Sequence, residues 1–248
     1  MSHRIGVIVF PGSNCEQDVV RALDLLEAEP AYVWHHSTDV SGYDALVLPG
    51  GFAYGDYLRT GAIAAFSPVM DAVREFASAG GPVLGICNGF QILCEAGLLP
   101  GALRRNAGLK FLCRPVHLRV ETTDSPFSRS AALHQVLEIP INHFEGNYYC
   151  PAPELEQVHA EDRVVLRYST AAGEVNAGAN PNGAVDNIAG VLSEGRNVLG
   201  MMPHPERATD PEVGGTDGRV ILGSLLDSLR SGEAGARDGT RLQADVAR

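Results

Sequence analysis

Residues 80–93, GGPVLGICNGFQIL, contain the pattern that decides the fold. An apolar run over residues 82–86 ends at Cys87, and a helix-like pattern follows directly. Gly85 and Gly89 flank the thiol, so the chain can turn sharply with Cys87 at the tip of the turn. The stretch therefore predicts a buried strand, a tight turn and a helix.

The same alternation of short apolar runs and helical patterns precedes this stretch. Strands are predicted at 4–10, 32–35, 44–49 and 82–86, and helices at 14–29, 61–80 and 88–96. Ser13 or Asn14 is the predicted N-cap of the first helix. Repeated β-α-β units indicate the α/β class, with an open, mainly parallel twisted sheet and flanking helices.

Beyond residue 110 the predicted strands have fewer helices between them. They fall at 116–121, 136–141, 164–169, 188–193 and 197–202, with a last helix at 218–229. These strands either extend the same sheet or form a small antiparallel annex. No convincing boundary divides residues 1–230, which we interpret as a single domain, and residues 231–248 are predicted to be a polar, frayed tail.

Charge and hydropathy restrict the class of function. The chain has 248 residues and a formal net charge of −11, which argues against nucleic acid or an anionic membrane as a partner. No apolar run approaches the roughly 20 residues that span a bilayer. The first residues lack a signal-peptide pattern and predict a strand, so we expect a cytoplasmic protein.

The cysteines and the lysine exclude other chemistry. The five cysteines are irregularly spaced and fit neither a disulfide framework nor a CxxC metal site, so we expect no metal in this chain. Lys110 is the only lysine and lies outside any GxxxxGK[ST] pattern, which excludes a P-loop. A Schiff-base mechanism would depend on that one position and is disfavoured.

The context of Cys87 indicates a nucleophile. It follows the end of a predicted strand, where open parallel sheets bind ligands, and it precedes a helix whose first amides stabilise a thiolate. The G-x-C-x-G pattern matches the nucleophile elbow with sulfur in place of the hydroxyl. Buried packing is the alternative for a lone cysteine, and the flanking glycines outweigh it. Cys94 lacks this context and is assigned to the core.

A candidate base lies in MPHPER, residues 202–207, where another predicted strand ends. A proline favours extended backbone at the residue before it, and side chains two apart along an extended chain point the same way. His204 and Glu206 should therefore be close enough for the carboxylate to orient the imidazole. A rigid surface loop is the alternative. His143, in INHFEGNYY, is a further residue that could line the site.

The glycine-rich segment 47–61, VLPGGFAYGDYLRTG, also follows a predicted strand. An acyl-transfer site needs N–H donors aimed at the developing oxyanion. The amide of Gly51 or Phe52, with that of Asn88, could supply two such donors. Because glycine-rich turns are common, this signal is weak on its own.

Together these segments resemble the class I, triad-type glutamine amidotransferases. Within that family the closest likeness is to the branch of glutaminase subunits that serve phosphoribosylformylglycinamidine synthase, a purine-pathway enzyme. The likeness is carried by FPGSNCEQD (10–18), PGGFAYGDYLRTGAIA (49–64), GICNGFQIL (85–93), NPNGAVDNIAGV (180–191) and MPHPER (202–207). Two departures are Ala184, where serine is more usual, and INHFEGNYY, where the family segment usually contains His-Gly-Glu-Gly.

The resemblance implies a reaction and roles for named residues. Cys87 would attack the side-chain amide of L-glutamine, and His204, oriented by Glu206, would move the protons. The amides of Gly51 and Asn88 would hold the oxyanion. The resemblance also implies that Gly50, Phe52 and Gln91 belong to the substrate-binding wall.

The resemblance also implies partners. The chain has no P-loop, so an ATP-dependent amination should lie on another polypeptide. We expect a large synthetase subunit, which would bind ATP and Mg²⁺, and a small bridging subunit, with no cofactor in this chain. We also expect low glutaminase activity for the isolated chain.

Other functions remain open at this stage. The chain could serve another acceptor as a class I amidotransferase subunit, or it could be a flavodoxin-like cysteine hydrolase that ignores glutamine. A non-catalytic regulatory subunit with a decayed site is a third alternative, which the intact Cys87, His204 and Glu206 disfavour.

Overall fold

The computed structural model describes residues 2–232, and its main element is one sheet of nine strands. These strands, numbered in chain order, are β1 (Arg4–Val9), β2 (Glu29–Trp34), β3 (Ala45–Leu48), β4 (Val83–Ile86), β6 (Leu112–Val120), β7 (Val136–His143), β9 (Val164–Ser169), β10 (Ile188–Leu192) and β11 (Val198–Met201). Two short strands, β5 (Ala102–Arg104) and β8 (Asn147–Tyr149), pair antiparallel in a second sheet.

Five α-helices connect or flank the strands in the described part of the chain. They are α1 (Glu16–Leu25), α2 (Pro68–Ser78), α3 (Asn88–Glu95), α4 (Ala152–Ala160) and α5 (Gly218–Arg230). Within residues 2–232, none of these helices has the length and apolar character needed to cross a membrane.

The strand order of the large sheet is β2-β1-β3-β4-β11-β10-β9-β6-β7. Neighbouring strands are parallel from β2 to β11 and antiparallel from β11 to β7. The predicted α/β class, a parallel sheet with flanking helices, is confirmed. The strands beyond residue 110 extend this sheet in antiparallel order, while β5 and β8 form the separate small annex.

The central parallel strands lie deepest in the core, whereas the edge strand β2 is largely exposed. Every residue of β3 and β4 is buried, as expected for parallel strands covered on both faces. The carboxyl ends of β3, β4 and β11 meet, because Leu48 and Gly200 are both register partners of Gly85. Side chains that follow these strands are therefore brought to the same edge of the sheet.

Two predicted helices were too long. The first, predicted at 14–29, is α1, and its N-cap is Cys15 rather than Ser13 or Asn14. It ends early because Glu29 begins β2. The second, predicted at 61–80, is a short 3₁₀ turn followed by α2, because Pro68 starts the helix and holds Ser67 extended, with ψ 145°.

Several short elements were not predicted. The helix α4 begins after Pro151 and buries only Val158, so its apolar periodicity is weak. The strands β5 and β8 have only three residues each, too few to show an alternating pattern. The last helix was predicted correctly, and residues 233–248 of the predicted tail lie outside the described part of the chain.

Candidate active site

Cys87 lies in a strained turn between β4 and α3. Its backbone has φ 51° and ψ −104°, a combination that non-glycine residues rarely adopt and that recurs at functional turns. Its amide donates to the carbonyl of Met201 at 2.8 Å, which ties the turn to β11. A Cβ at Gly89 would lie 2.0 Å from the Leu48 carbonyl oxygen, so only glycine permits this close crossing. The sequence thus produces the predicted elbow.

His204 and Glu206 are in direct contact. His204 Nδ1 lies 2.6 Å from Glu206 Oε1, and both side chains are buried. The backbone differs from the expected extended form, because His204 has φ −103° and ψ 86° and Glu206 lies in a 3₁₀ turn. The contact predicted from the sequence is present, but a turn rather than an extended strand brings it about. The amide of His204 also donates to the Pro140 carbonyl at 2.8 Å.

The surroundings of His204 favour its protonated form. Burial alone would lower the pKa of His204, but the Glu206 carboxylate, and after it the Cys87 sulfur, raise that pKa well above its ordinary value. Nε2 of His204 is buried and has no hydrogen-bond partner among residues 2–232. The imidazolium can therefore offer a proton to a ligand in the cavity that it lines.

A cavity of about 210 Å³ contains most of the predicted site. Its lining includes five residues that were predicted from the sequence, namely Cys87, His204, Gly51, Phe52 and Gln91. His143, a candidate lining residue, is also in the wall. The nucleophile and the candidate base thus face the same small space, although they are more than a hundred residues apart in the sequence.

The structure distinguishes the two candidate donors from the glycine-rich loop. The Phe52 amide donates to the Gly12 carbonyl at 2.9 Å, so it is engaged, whereas no acceptor for the Gly51 amide is found among residues 2–232. The Asn88 amide opens α3, where helical amides have no partner within the helix. Gly51 and Asn88 are therefore the better-placed pair of oxyanion donors.

Gly50, Asn88 and Gln91 support the wall of the cavity. A Cβ at Gly50 would lie 2.8 Å from Cε1 of His204, so this position leaves room for the imidazole. Asn88 accepts from the Ala53 amide at 3.0 Å and donates to Gln91 Oε1 at 2.8 Å. Gln91 in turn donates to the Glu145 carbonyl at 2.6 Å. These contacts join α3 to two loops of the site.

Asn106 fixes the orientation of His143. Its Nδ2 donates to the carbonyls of Lys110 and His143, and its Oδ1 accepts from the Gly146 amide. His143 Nδ1, 3.1 Å from that oxygen, must therefore carry a proton. Burial and the nearby His204 lower the pKa of His143 to about 3, so the ring is neutral. Its buried Nε2 is an acceptor without a partner among residues 2–232.

Seven further residues of the cavity wall were not proposed as site residues from the sequence. They are Asn14, Cys15, Asp56, Thr60, Asn142, Phe144 and Glu145. A usable signal existed for Glu145, which lies just after the end of β7, whereas Asp56 lies in a 3₁₀ turn of the loop that follows β3. Burial and the neighbouring Glu145 raise the pKa of Asp56 to about 6. The two carboxylates give this part of the cavity a negative charge.

One cluster has the composition of a metal site. Cys15, His204 and Glu206 are buried and each offers a ligand atom within 4.8 Å of the others. Arg207 Nη2, however, donates to Cys15 Sγ at 3.3 Å, and its positive charge opposes a cation there. We interpret the cluster as packing that holds His204. The absence of a metal in this chain stays a prediction.

Comparisons with known proteins identify the family. Residues 2–214 match the family model described as a CobB/CobQ-like glutamine amidotransferase domain. The chain is 57% identical over 227 residues to the phosphoribosylformylglycinamidine synthase subunit PurQ of Koribacter versatilis, covering 91% of this chain and 98% of that one. The corresponding subunit of Moorella thermoacetica is 56% identical over 231 residues, covering 93% and 98%.

A solved structure gives the same result at the level of the fold. The structure of PurLQS from Thermotoga maritima aligns with a TM-score of 0.82 at 42% identity, covering 92% of this chain and 100% of that chain. The chain belongs to the CobB/CobQ-like glutamine amidotransferases and, within them, to the PurQ subunits of phosphoribosylformylglycinamidine synthase.

Proposed function

We propose that this chain hydrolyses L-glutamine to glutamate and ammonia and delivers the ammonia to a partner synthetase. That synthetase would use it in the ATP-dependent conversion of formylglycinamide ribonucleotide to formylglycinamidine ribonucleotide, a step of de novo purine biosynthesis. The observation that carries the proposal is the strained Cys87 turn facing the His204–Glu206 pair across one cavity.

The first half of the reaction forms a thioester. The Cys87 thiolate attacks the side-chain amide carbon of glutamine, and the amides of Gly51 and Asn88 stabilise the resulting oxyanion. When the C–N bond breaks, protonated His204 gives its Nε2 proton to the departing NH₂ group, which leaves as ammonia. Glu206 keeps the imidazole oriented throughout.

The second half releases glutamate. Neutral His204 takes a proton from a water molecule, and the hydroxide attacks the thioester carbonyl. The C–S bond breaks, Cys87 leaves as the thiolate and His204 is again protonated. The new carboxyl group loses its proton to solvent, so one glutamine and one water yield glutamate, ammonia and a proton, and no cofactor is required in this chain.

The partners belong to the same proposal. The similar chain from Thermotoga maritima comes from a structure of PurLQS, which supports docking of this chain on a large synthetase subunit and a small bridging subunit. ATP and Mg²⁺ would be bound by the synthetase. The low activity of the isolated chain and its cytoplasmic location stay predictions; the first is tested by comparing glutamate release with and without the synthetase.

The decisive experiment uses the assembled complex. We expect Cys87→Ala to abolish glutamate release while ammonium chloride still supports amination of formylglycinamide ribonucleotide. The matched control is Cys113→Ala, because Cys113 is exposed and lies outside the cavity. Labelling with 6-diazo-5-oxo-L-norleucine, followed by peptide mapping, should modify Cys87.

Other outcomes would favour the alternatives. Glutamate release by the Cys87→Ala complex would contradict the proposed nucleophile. Cys87-dependent hydrolysis of esters or peptides, with no action on glutamine, would favour a cysteine hydrolase. Glutamine hydrolysis without coupling to formylglycinamide ribonucleotide would favour an amidotransferase subunit that serves another acceptor.

A further inference from the structure

Two carboxylates from separate segments face the cavity that contains Cys87. Asp56 lies in the loop after β3 and Glu145 in the loop after β7, and both belong to the cavity wall. The proposed attack of Cys87 on an amide does not use either of them. Their placement in a small and partly buried space therefore requires another explanation.

Asp56 has little compensation for its charge. Within residues 2–232 no cationic side chain lies within ion-pair distance of it, and its recorded side-chain contact is Asn88 Nδ2 at 3.5 Å. Glu145 accepts from Thr60 Oγ1 at 3.2 Å and lies 3.5 Å from Nε of the exposed Arg105. The neighbouring Glu145 also raises the pKa of Asp56, so a cation bound between them would relieve a real repulsion.

The same cavity has other polar atoms without partners. Nε2 of His204 and Nε2 of His143 are both buried, and neither has a hydrogen-bond partner among residues 2–232. Both side chains are at least nine-tenths buried and both line the cavity. Buried polar groups are normally paired, so these atoms indicate a polar ligand rather than an apolar one.

We propose that Asp56, together with Glu145, binds the α-ammonium group of the substrate and thereby selects a free amino acid over a simple amide. The inference rests on the proposed function and deepens it. Glutamine carries its reactive amide at one end and an ammonium group at the other. With the amide held at Cys87, a negatively charged wall in the same cavity complements that ammonium group.

The backbone at Asp56 allows a clean substitution. Asp56 has φ 54°, a left-handed conformation that asparagine also tolerates. The Asp56→Asn variant therefore removes the charge while keeping the shape and the turn. Asp24→Asn is the matched control. Asp24 is exposed on α1, so this substitution removes the same charge at a position outside the cavity.

The test compares two amides in the assembled complex, L-glutamine and 4-carbamoylbutanoate, which lacks only the α-amino group. For the wild type, we expect loss of the amino group to lower kcat/KM by about tenfold or more, the effect of a charge-assisted hydrogen bond. Asp56→Asn should raise the KM for glutamine by about tenfold, with kcat changed much less. The kcat/KM values of this variant for the two amides should then be nearly equal. Asp24→Asn should behave as the wild type.

A second measurement reports on the turn itself. Iodoacetamide has no ammonium group, so its rate of reaction with Cys87 should be the same in the wild type and in Asp56→Asn. If Asp56→Asn loses that reactivity because it misfolds, Glu145→Gln provides the same comparison of the two amides. The inference would be overturned if a variant lost kcat/KM equally on L-glutamine and 4-carbamoylbutanoate. It would also be overturned if neither variant lost kcat/KM on L-glutamine. Absence of Cys87-dependent glutamate release from the wild-type complex would instead overturn the proposed function.

Discussion

Nδ1 of His204 lies 2.6 Å from Oε1 of Glu206, within a pocket that excludes solvent from both side chains. A carboxylate can only accept a hydrogen bond, so it fixes the proton on Nδ1 and leaves Nε2 for the cavity. The pair therefore sets both the orientation of the imidazole and its charge. It connects a three-residue stretch of sequence directly to the chemistry proposed for Cys87.

We expect Glu206→Gln to lower kcat for glutamine hydrolysis by about 10⁴-fold, the loss that follows when the orienting acid of a triad is neutralised. The carboxylate raises the pKa of His204, so its loss leaves burial to lower that pKa. Less imidazolium is then available to protonate ammonia at neutral pH. Initial rates across a pH series in the assembled complex measure both effects.

Glu212→Gln is the control for this variant, because Glu212 is exposed and lies outside the cavity. The shift of the pH–rate profile towards lower pH is the more specific readout. A merely structural defect would lower the rate without moving the profile along the pH axis. A loss of less than about threefold with an unmoved profile would contradict an orienting role for Glu206.

Gly50→Ala should impair activity through His204. The added Cβ would lie 2.8 Å from Cε1 of His204 and 3.0 Å from Sγ of Cys15, so the imidazole must move. We expect a decrease of about tenfold or more in kcat, because small misplacements of catalytic groups are costly. Gly223→Ala on α5 is the control, since nothing lies within 4 Å of its Cβ position. Equal activities of the two variants would show that Gly50 leaves spare room.

The sequence was sufficient where a local pattern determines local structure. The elbow at Cys87 requires an apolar strand, two glycines and a helix start, all within one short segment. The His204–Glu206 contact is also local, since only one residue separates them, although a 3₁₀ turn rather than an extended strand produces it. Local spacing therefore predicted the contact better than it predicted the backbone.

The rest of the site depends on distant parts of the chain meeting. Whether Phe52 is available as a donor depends on the Gly12 carbonyl, which no spacing rule places beside it. The tautomer of His143 depends on Asn106, which precedes it by 37 residues. The cavity wall at Asp56 and Glu145 arises because β3 and β7 end near the same space. The hydrophobic periodicity of a sequence indicates local structure and does not predict such long-range contacts.

His143 should make stability depend on pH. Its pKa falls from an ordinary 6.5 to about 3 in the folded chain, so between these values the unfolded chain binds more protons. The contribution of His143 to the free energy of unfolding should therefore decrease as the pH falls from about 6.5 towards 3, by up to about 1.4 kcal/mol per pH unit. Denaturant titrations at several pH values measure this slope.

His143→Asn provides the comparison, because its amide can still donate to Asn106 Oδ1 but cannot be protonated. Asp56 acts in the opposite direction, since its pKa is raised to about 6 in the folded chain, and its contribution is common to both proteins. Towards acid the variant should therefore lose less stability than the wild type, or even gain some, and the difference between the two slopes isolates His143. Identical slopes would mean that His143 takes up its proton without unfolding.

The affinity for glutamine should decrease in acid because of Asp56. In the ligand-free chain its pKa is raised to about 6, first by burial and then by Glu145, and an ammonium group binds the carboxylate but not the carboxylic acid. Below about pH 6 the carboxylate fraction falls about tenfold per pH unit, so the KM for glutamine should rise at that rate.

The other titratable groups that share this cavity with Asp56 are Glu145, Cys15, Cys87, His143 and His204. Their effects are retained in Asp56→Asn, so the difference between the two KM profiles isolates Asp56. The wild-type KM should climb steeply below about pH 6 while that of the variant starts higher and stays flatter. With 4-carbamoylbutanoate the two profiles should run together, because that amide has no ammonium group to lose. If the KM profiles of the wild type and Asp56→Asn remain parallel when glutamine is the substrate, the ammonium group binds elsewhere in the cavity.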